Sequence, residues 1–598
     1  NGTITFSDAG NLNLFSAVTD LGTLSITNGT VTYDGVDQVV FSDIYYSLTA
    51  GGASGTKTLG GNVTVAGDLT IDTDVTIAMD THLLTVTNVT DIDGTLAVAD
   101  NTLTLDGTSD IDGTITISTG TVDANDTFDA TNGTITFSDA GNLNLFSAVT
   151  DLGTLSDNFG TVTYDGVAQD VLTDIYNNLV MGGSSGTKTL AGAITVNSDL
   201  TVNADVTFDV SSSENYSVNV GGALENNGTF SAQEGTVTFN GSDNQVFTPG
   251  SSSYYNITLN NAGGDDKTLV IASDLEIDND LTLTDGTLDL DTNDPAISIA
   301  GDLAIADGAV WTKGSGTVSF DGATQSLSDA NTTPNDLGDA LIDCDILTVA
   351  TNAAFTSVQI LSASITIISP SISFTVNGAL TITGELEMAD GSVVDAGGDV
   401  TVSVAGTLDM DGTSRLKMEG DLSFSGTLEA SDDSRIDLDG DTQQTISGST
   451  TPAFNRLFCS SSATVFNLTA TINDTLDAGG EDFTISNGKT LTMETGSVTI
   501  LSGGTWTRDG TLTLQSDSKV LYTTSNQTVL TNITYGNVEH DGGTLSQGGA
   551  FTVDIFTNTS GNFQPGAHNL SANGIIWDGG SVTGTPSGVW DIGTSGVD

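Results

Sequence analysis

Residues 94–117 read GTLAVADNTLTLDGTSDIDGTITI, and the glycine that opens this stretch returns at Gly113 (GTITI), Gly133 (GTITF) and Gly153 (GTLS), at steps of 19, 20 and 20 residues. Gly384, Gly406 and Gly426 repeat the pattern at 22 and 20. Within each step, apolar residues alternate with Thr, Asp or Ser, as in LTVTNVT, LTIDTDVTI and VTVSVAGTLDM. A period of two is the mark of a strand with one dry face and one wet face. Short strands, Gly/Asn/Asp turns and a step of about 20 residues together predict an elongated parallel β-helix, or β-solenoid, with one coil per step. No segment of helical length shows a 3.6-residue period with caps, so almost no helix is expected.

The same conclusion follows from longer repeats. Residues 1–25, NGTITFSDAGNLNLFSAVTDLGTLS, recur unchanged at 132–156, an offset of 131. The likeness continues at that offset through GTVTYDGV (Gly29 and Gly160), SGTKTL (Ser54 and Ser185) and the strands from Asp68 and Asp199. A looser cassette follows, in which a GTVTFNG-like strand, a Gln with an apolar pair, a Tyr/Asn segment, K-T-L and D-L-T-L occur in order. It is clearest over Gly235–Leu283 and restarts at Gly316, near Arg435 and near Gly510. The chain divides accordingly into a repeat unit at 1–131, its second copy at 132–234, and divergent cassettes at 235–315, 316–434 and 435–598, all expected in one continuous rod. About 30 coils rising about 4.8 Å each give a rod of roughly 140 Å.

Composition narrows the function class. Against 77 acidic side chains stand 11 Lys plus Arg, a formal net charge of −66, which excludes a nucleic-acid binder because nothing could neutralise phosphates in number. A mean hydropathy of +0.04 is too apolar for a disordered chain. The most apolar stretch, ILSASITIISPSISFTV at 360–376, interleaves Ser with Ile and contains Pro370, so it reads as a strand pair and not as a membrane helix. The strands are also too short for a transmembrane barrel, and no membrane insertion is expected. Cys344 and Cys459, 115 residues apart, read as buried thiols.

GTVTFNG followed by YYNITLNNAGG, KTL and DLTLTDGTLDL resembles the β-solenoid repeats of very large bacterial cell-surface and secreted adhesin-like proteins. The likeness covers most of the chain, in about six cassettes. It implies an exported shaft, an adhesin stalk or a filament subunit, located outside the cell or on its surface. The start at NGTITF, a strand already under way in the copy at 132, leads to the expectation of a fragment of a longer array. Neither end reads as a cap, so end-to-end or lateral self-association, or contact with other cell-surface components, is expected.

Constellations that could carry chemistry are few. Lys57, Lys188, Lys267 and Lys489 each precede Thr-Leu, so they read as equivalent structural cations answering nearby carboxylates. Arg415, Lys417 and Arg435 form a basic cluster about one coil apart; with Asp432, Asp433 and Asp437 they read as an ion-pair ladder, with a lyase-like patch as the competing reading. His82, His540 and His568 are remote from one another and form no triad or metal spacing. No enzyme activity and no resident cofactor are expected. Asp pairs two residues apart, notably Asp289/Asp291 and Asp437/Asp439/Asp441, are the candidate Ca²⁺ ligands, since stacked coils would bring carboxylate oxygens together on an outward face. Sequons at Asn62, Asn88, Asn215, Asn256, Asn467, Asn526 and Asn532 are glycan acceptors where the source organism has the machinery. Two competitors to the structural reading remain. One is a carbohydrate-active or glycan-binding β-helix with Trp311, Trp506, Trp577 and Trp590 as exposed sugar platforms; the other is a string of tandem β-sandwich adhesin domains.

Overall fold

Alternating side chains decide where each strand buries itself. In Thr95–Val98, Thr102–Leu105 and Thr114–Ile117 the threonines stay partly wet while Leu96, Val98, Leu103, Leu105, Ile115 and Ile117 are almost fully buried. In a computed structural model the described residues are 2–156, 158–261, 267–431, 433–523, 526–584 and 588–592. They contain no helix, and every strand pairing among them is parallel. The fold is an all-β parallel solenoid with about 20 residues per turn and about 29 turns. Tandem β-sandwiches are thereby excluded, because sandwich sheets are built from antiparallel strands.

The chain forms two units, residues 1–295 with 308–310, and residues 296–307 with 311–598. In the first, Thr95–Val98 pairs with Thr114–Ile117, and Thr102–Leu105 with Thr121–Ala124, so Leu96 stacks on Ile115 and Leu103 on Val122. Each coil carries three short strands, one per face. The second unit has the same plan as far as Thr427–Ala430, the last strand of its sheet; beyond it some strands lengthen, to 13 and 14 residues in Thr534–Ser546 and Phe551–Gln564. In this unit the stretch 360–376 is not a strand pair: it touches Ser357–Ile360, Ile365–Ile368 and Ser373–Val376, which lie in three different sheets and pair forward with Leu380–Ile382, Glu385–Met388 and Val393–Ala396. Pairing runs across every cassette boundary, as Ile115↔Ile135, Val218↔Val237, Ile297↔Val318 and Leu416↔Ile436 show, so the cassettes are repeats of sequence within a stack of coils.

The spaced glycines have a steric cause. A Cβ on Gly113 would lie 2.0 Å from the carbonyl oxygen of Gly94 in the coil before, and Thr114 N donates to that same oxygen at 2.8 Å. Only a residue without Cβ permits this approach.

The conserved letter Gln of the cassettes has a structural role as well. Gln38 is 5% exposed; its Oε1 accepts from Gly35 N at 2.6 Å, and its Nε2 donates to Leu14 O and Ser16 O at 2.9 and 3.1 Å in the preceding coil. Gln169 repeats these bonds with Gly166 N, Leu145 O and Ser147 O, and Gln245, Gln325 and Gln444 do the same at their own corners. Each glutamine pins a turn to the coil beneath it. Replacing Gln169 with Leu would leave the Gly166 N–H and the Ser147 carbonyl without partners, while Leu145 O keeps its bond from Asp165 N at 2.8 Å; the cost is about 1–3 kcal/mol for each group that water cannot reach. The expected result is a lower unfolding midpoint together with faster hydrogen exchange at the Gly166 amide; unchanged exchange there would contradict the pin.

Candidate functional site

The densest group of charged side chains lies in the second unit. In Arg415–Met418 and Arg435–Leu438 the even positions, Leu416, Met418, Ile436 and Leu438, are buried. The odd positions therefore stack on the opposite side, and register places Arg415, Arg435 and Arg456 in one column and Lys417, Asp437 and Phe458 in the next. Three stacked guanidiniums repel one another, and carboxylates offset that repulsion. Arg415 and Arg435 both donate to Asp437, which is 1% exposed, and Arg456 pairs with Asp433 and Asp474. The Arg435 guanidinium carbon also lies 3.7 Å from the Phe458 ring centroid. Lys417 Nζ sits between Asp395 Oδ2 at 3.1 Å and Asp439 Oδ2 at 3.2 Å. Burial lowers the Lys417 pKa, but hydrogen bonds from these two carboxylates outweigh it and hold the pKa above its ordinary value. The expected ion-pair ladder is present. Asp432, named with it, lies outside the described residues.

The candidate Ca²⁺ ligands are placed differently from expectation. Asp437 lies on the outward side of its strand, but two arginines cover it. Asp439 shares an oxygen with Lys417, and Asp441 is exposed. Asp289 turns into its own loop, accepting from Asp291 N at 2.9 Å and from Thr292 N and Oγ1 at 3.2 and 2.7 Å, while Asp291 is exposed. Among the described residues no group of three or more His, Cys, Asp or Glu is arranged to hold a metal ion.

A longer acidic column was missed. TDIDGT at 90–95 and SDIDGT at 109–114 repeat at an offset of 19, and the structure stacks Asp91 on Asp110 and Asp110 on Asp129, with Asp72, Asp93 and Asp112 beside them. Partial burial, and then neighbouring carboxylates, raise the pKa of Asp72, Asp91 and Asp110. A carboxyl whose folded pKa is raised stabilises the fold below its unfolded value, and that stability is lost as pH rises through the folded value. Acidification from neutrality toward pH about 4 should therefore raise the melting temperature of this unit, and Asp91→Asn should raise it at pH 7 by the equivalent of about 0.5–1 kcal/mol. Thermal scans across pH check both; a monotonic loss of stability on acidification would contradict the column's repulsion.

The K-T-L lysines are not equivalent. Lys57 stands in register with Gln38 and Lys188 with Gln169, but Leu269 stands in register with Gln245, which puts Lys267 two residues early. Lys57 and Lys188 are fully buried, and their Nζ atoms donate to Gly35 O and Gly166 O in the preceding coil, not to carboxylates. Burial lowers both pKa values against the pull of Asp37 and Asp34 on Lys57 and of Asp165 on Lys188. Lys267, partly exposed, does meet a carboxylate, Asp243 at 3.6 Å. Register depends on spacing as well as on motif: Lys57 and Lys188 follow their glutamines by 19 residues, Lys267 follows Gln245 by 22.

Of the tryptophans, Trp311 is 4% exposed and cannot be a sugar platform, and Trp506, Trp577 and Trp590 are half-buried. Cys344 and Cys459 are buried free thiols, pushed up to about 11 and about 12 by burial. No helix among the described residues is long and apolar enough to cross a membrane. Comparison with protein-family models, curated proteins and solved structures finds no match to this chain.

Proposed function

We propose that this chain is a structural segment of an extracellular repeat protein at a cell surface, serving as an adhesin stalk or a filament subunit. The observation that carries the reading is the recurrence of one structural device, the buried glutamine pin, at Gln38, Gln169, Gln245, Gln325 and Gln444. The means of joining coil to coil recurs along the chain while the outward residues between pins vary. A scaffold needs that property along its length, whereas an active site needs it once.

The surface suits such a place. Thr, Ser, Asn and Asp dominate the outward positions, and the net charge of −66 keeps neighbouring copies apart until divalent cations bridge them. End-to-end or lateral association in the presence of Ca²⁺ belongs to the same proposal. Protease treatment of intact source cells tests it: loss of the intact chain without lysis is the expected result, and protection until lysis would overturn the assignment to the surface.

A further inference from the structure

One sheet of the second unit stops short of its last coils. The strand Trp506–Arg508 is the last of its sheet, in register with Phe483 and Ile485 through the pairs Phe483↔Trp506 and Ile485↔Arg508. Phe483 and Ile485 are fully buried, so Trp506 and Arg508 occupy inward positions, yet both are only half-buried. The reason is the coil that follows. Its segment Gln527–Thr528 pairs with Leu545–Ser546 and does not continue the sheet above Trp506–Arg508. A cleft of about 470 Å³ opens there, lined by Thr505, Trp506, Arg508, Asn526, Gln527 and Thr528 among others. That volume is within the usual range for small-molecule sites.

The two inward side chains supply distinct chemistry. One face of the Trp506 indole stacks on Phe483, with ring centroids 4.6 Å apart and planes at 25°. The half-buried indole also lines the cleft, where no strand of the sheet follows. Arg508 donates one N–H of its Nη2 to Thr531 O. Among the described residues it is the one arginine of four without a carboxylate partner, the others being Arg415, Arg435 and Arg456 in the ladder. A guanidinium has five N–H donors in a planar fork, so one bond to a carbonyl leaves the fork for a carboxylate unfilled. Asp509, in the bend that follows the strand, is exposed. An arginine placed at a core position of a chain with four arginines, beside an uncovered indole, has no counterpart elsewhere in the ladders.

We infer that the cleft between Trp506–Arg508 and Asn526–Thr531 binds a carboxylate-bearing pyranose of an acidic polysaccharide, with Trp506 stacking on the sugar ring and Arg508 holding the carboxylate. The amides of Asn526 and Gln527 and the hydroxyls of Thr505 and Thr528 are placed to meet the ring hydroxyls. The inference adds a ligand site to the shaft and does not depend on the shaft reading.

Titration calorimetry of the full chain with a glucuronate-containing tetrasaccharide, and with the same tetrasaccharide reduced at its carboxyl groups, tests it. Loss of the charge-assisted pair should weaken binding about tenfold, so the reduced sugar should bind about tenfold less tightly than the acid. Arg508→Gln should weaken binding of the acid sugar by a similar factor and leave the reduced sugar unaffected, while Trp506→Leu should weaken both. Thermal unfolding of each variant, with a midpoint close to that of the parent chain, separates loss of the site from loss of the fold. Equal affinity for the two sugars, indifference to Arg508→Gln in a folded variant, or no heat of binding up to about 10 mM sugar would each overturn the inference.

Discussion

Asp437→Ala is expected to lower the stability of the second unit by about 3 kcal/mol, the low end of what breaking a buried ion pair costs, because both guanidiniums it leaves behind remain about a third exposed. The carboxylate itself is 1% exposed and is the shared acceptor of Arg415 and Arg435, which register stacks directly on each other. Without it two like charges face each other across one coil step of about 4.8 Å with nothing between them. Urea unfolding reads the loss, and added NaCl should recover only part of it, since the pair is shielded from solvent. Replacing Arg415 and Arg435 with Met in the same variant should restore most of the stability, as apolar substitutes for a whole buried cluster do. A neutral Asp437→Ala would show that the ladder is ornament on a stack held by its core alone.

The second large effect is alkaline. Three tyrosine pairs are buried at one type of corner. Tyr33 and Tyr45 hydroxyls lie 2.9 Å apart, those of Tyr164 and Tyr176 3.0 Å, and those of Tyr522 and Tyr535 3.3 Å. In each pair one hydroxyl accepts from a backbone N–H of the turn, and the other donates to the carbonyl of the same residue: Phe41, Leu172 and Leu530 in turn. Burial raises the pKa of all six, that of Tyr164 to about 12, and it raises that of Tyr254 too. A raised folded pKa means stability that is complete below the unfolded value of about 10 and lost as pH climbs beyond it, at about 1.4 kcal/mol per pH unit per tyrosine. At pH about 11.5 Tyr164, whose pKa is pushed up to about 12, thus costs about 2 kcal/mol. Lys57 and Lys188, with lowered folded pKa values, act in the opposite sense: their contribution grows as pH rises and is complete by about 10.5, so it cannot offset the fall above that point. Unfolding should accompany ionisation of these seven of the ten tyrosines; tyrosinate absorbance equivalent to more than three tyrosines near pH 10 in a still-folded chain would contradict the burial.

The pitch, the all-β class and the parallel stacking were legible in Gly94, Gly113, Gly133 and Gly153 and in the alternation around them, because spacing and period are properties of the chain itself. Side-chain partners were legible only where register followed the motif. Arg415 and Arg435 are 20 residues apart, one coil, and stack as their spacing says. Lys267 carries the same K-T-L letters as Lys57 and ends in a different place, because it follows its cassette's glutamine by 22 residues and not 19. Asp437 looked outward by alternation from Arg435, yet two guanidiniums cover it, and a neighbour in space has no signature in a local pattern. The cleft at Trp506 depends on a strand that fails to follow, and no residue in TWTRDG announces that.

If every coil is joined only to its neighbours, through glutamine pins and short parallel ladders, the chain should come apart by coils under load. Single-molecule pulling between the two ends reads this directly. The account predicts a long series of small extension steps, each near the contour length of a 20-residue coil, about 70 Å. Release of the chain in a few events of several hundred ångströms, one for each 131-residue unit, would show independent domains and contradict the stacking of coils.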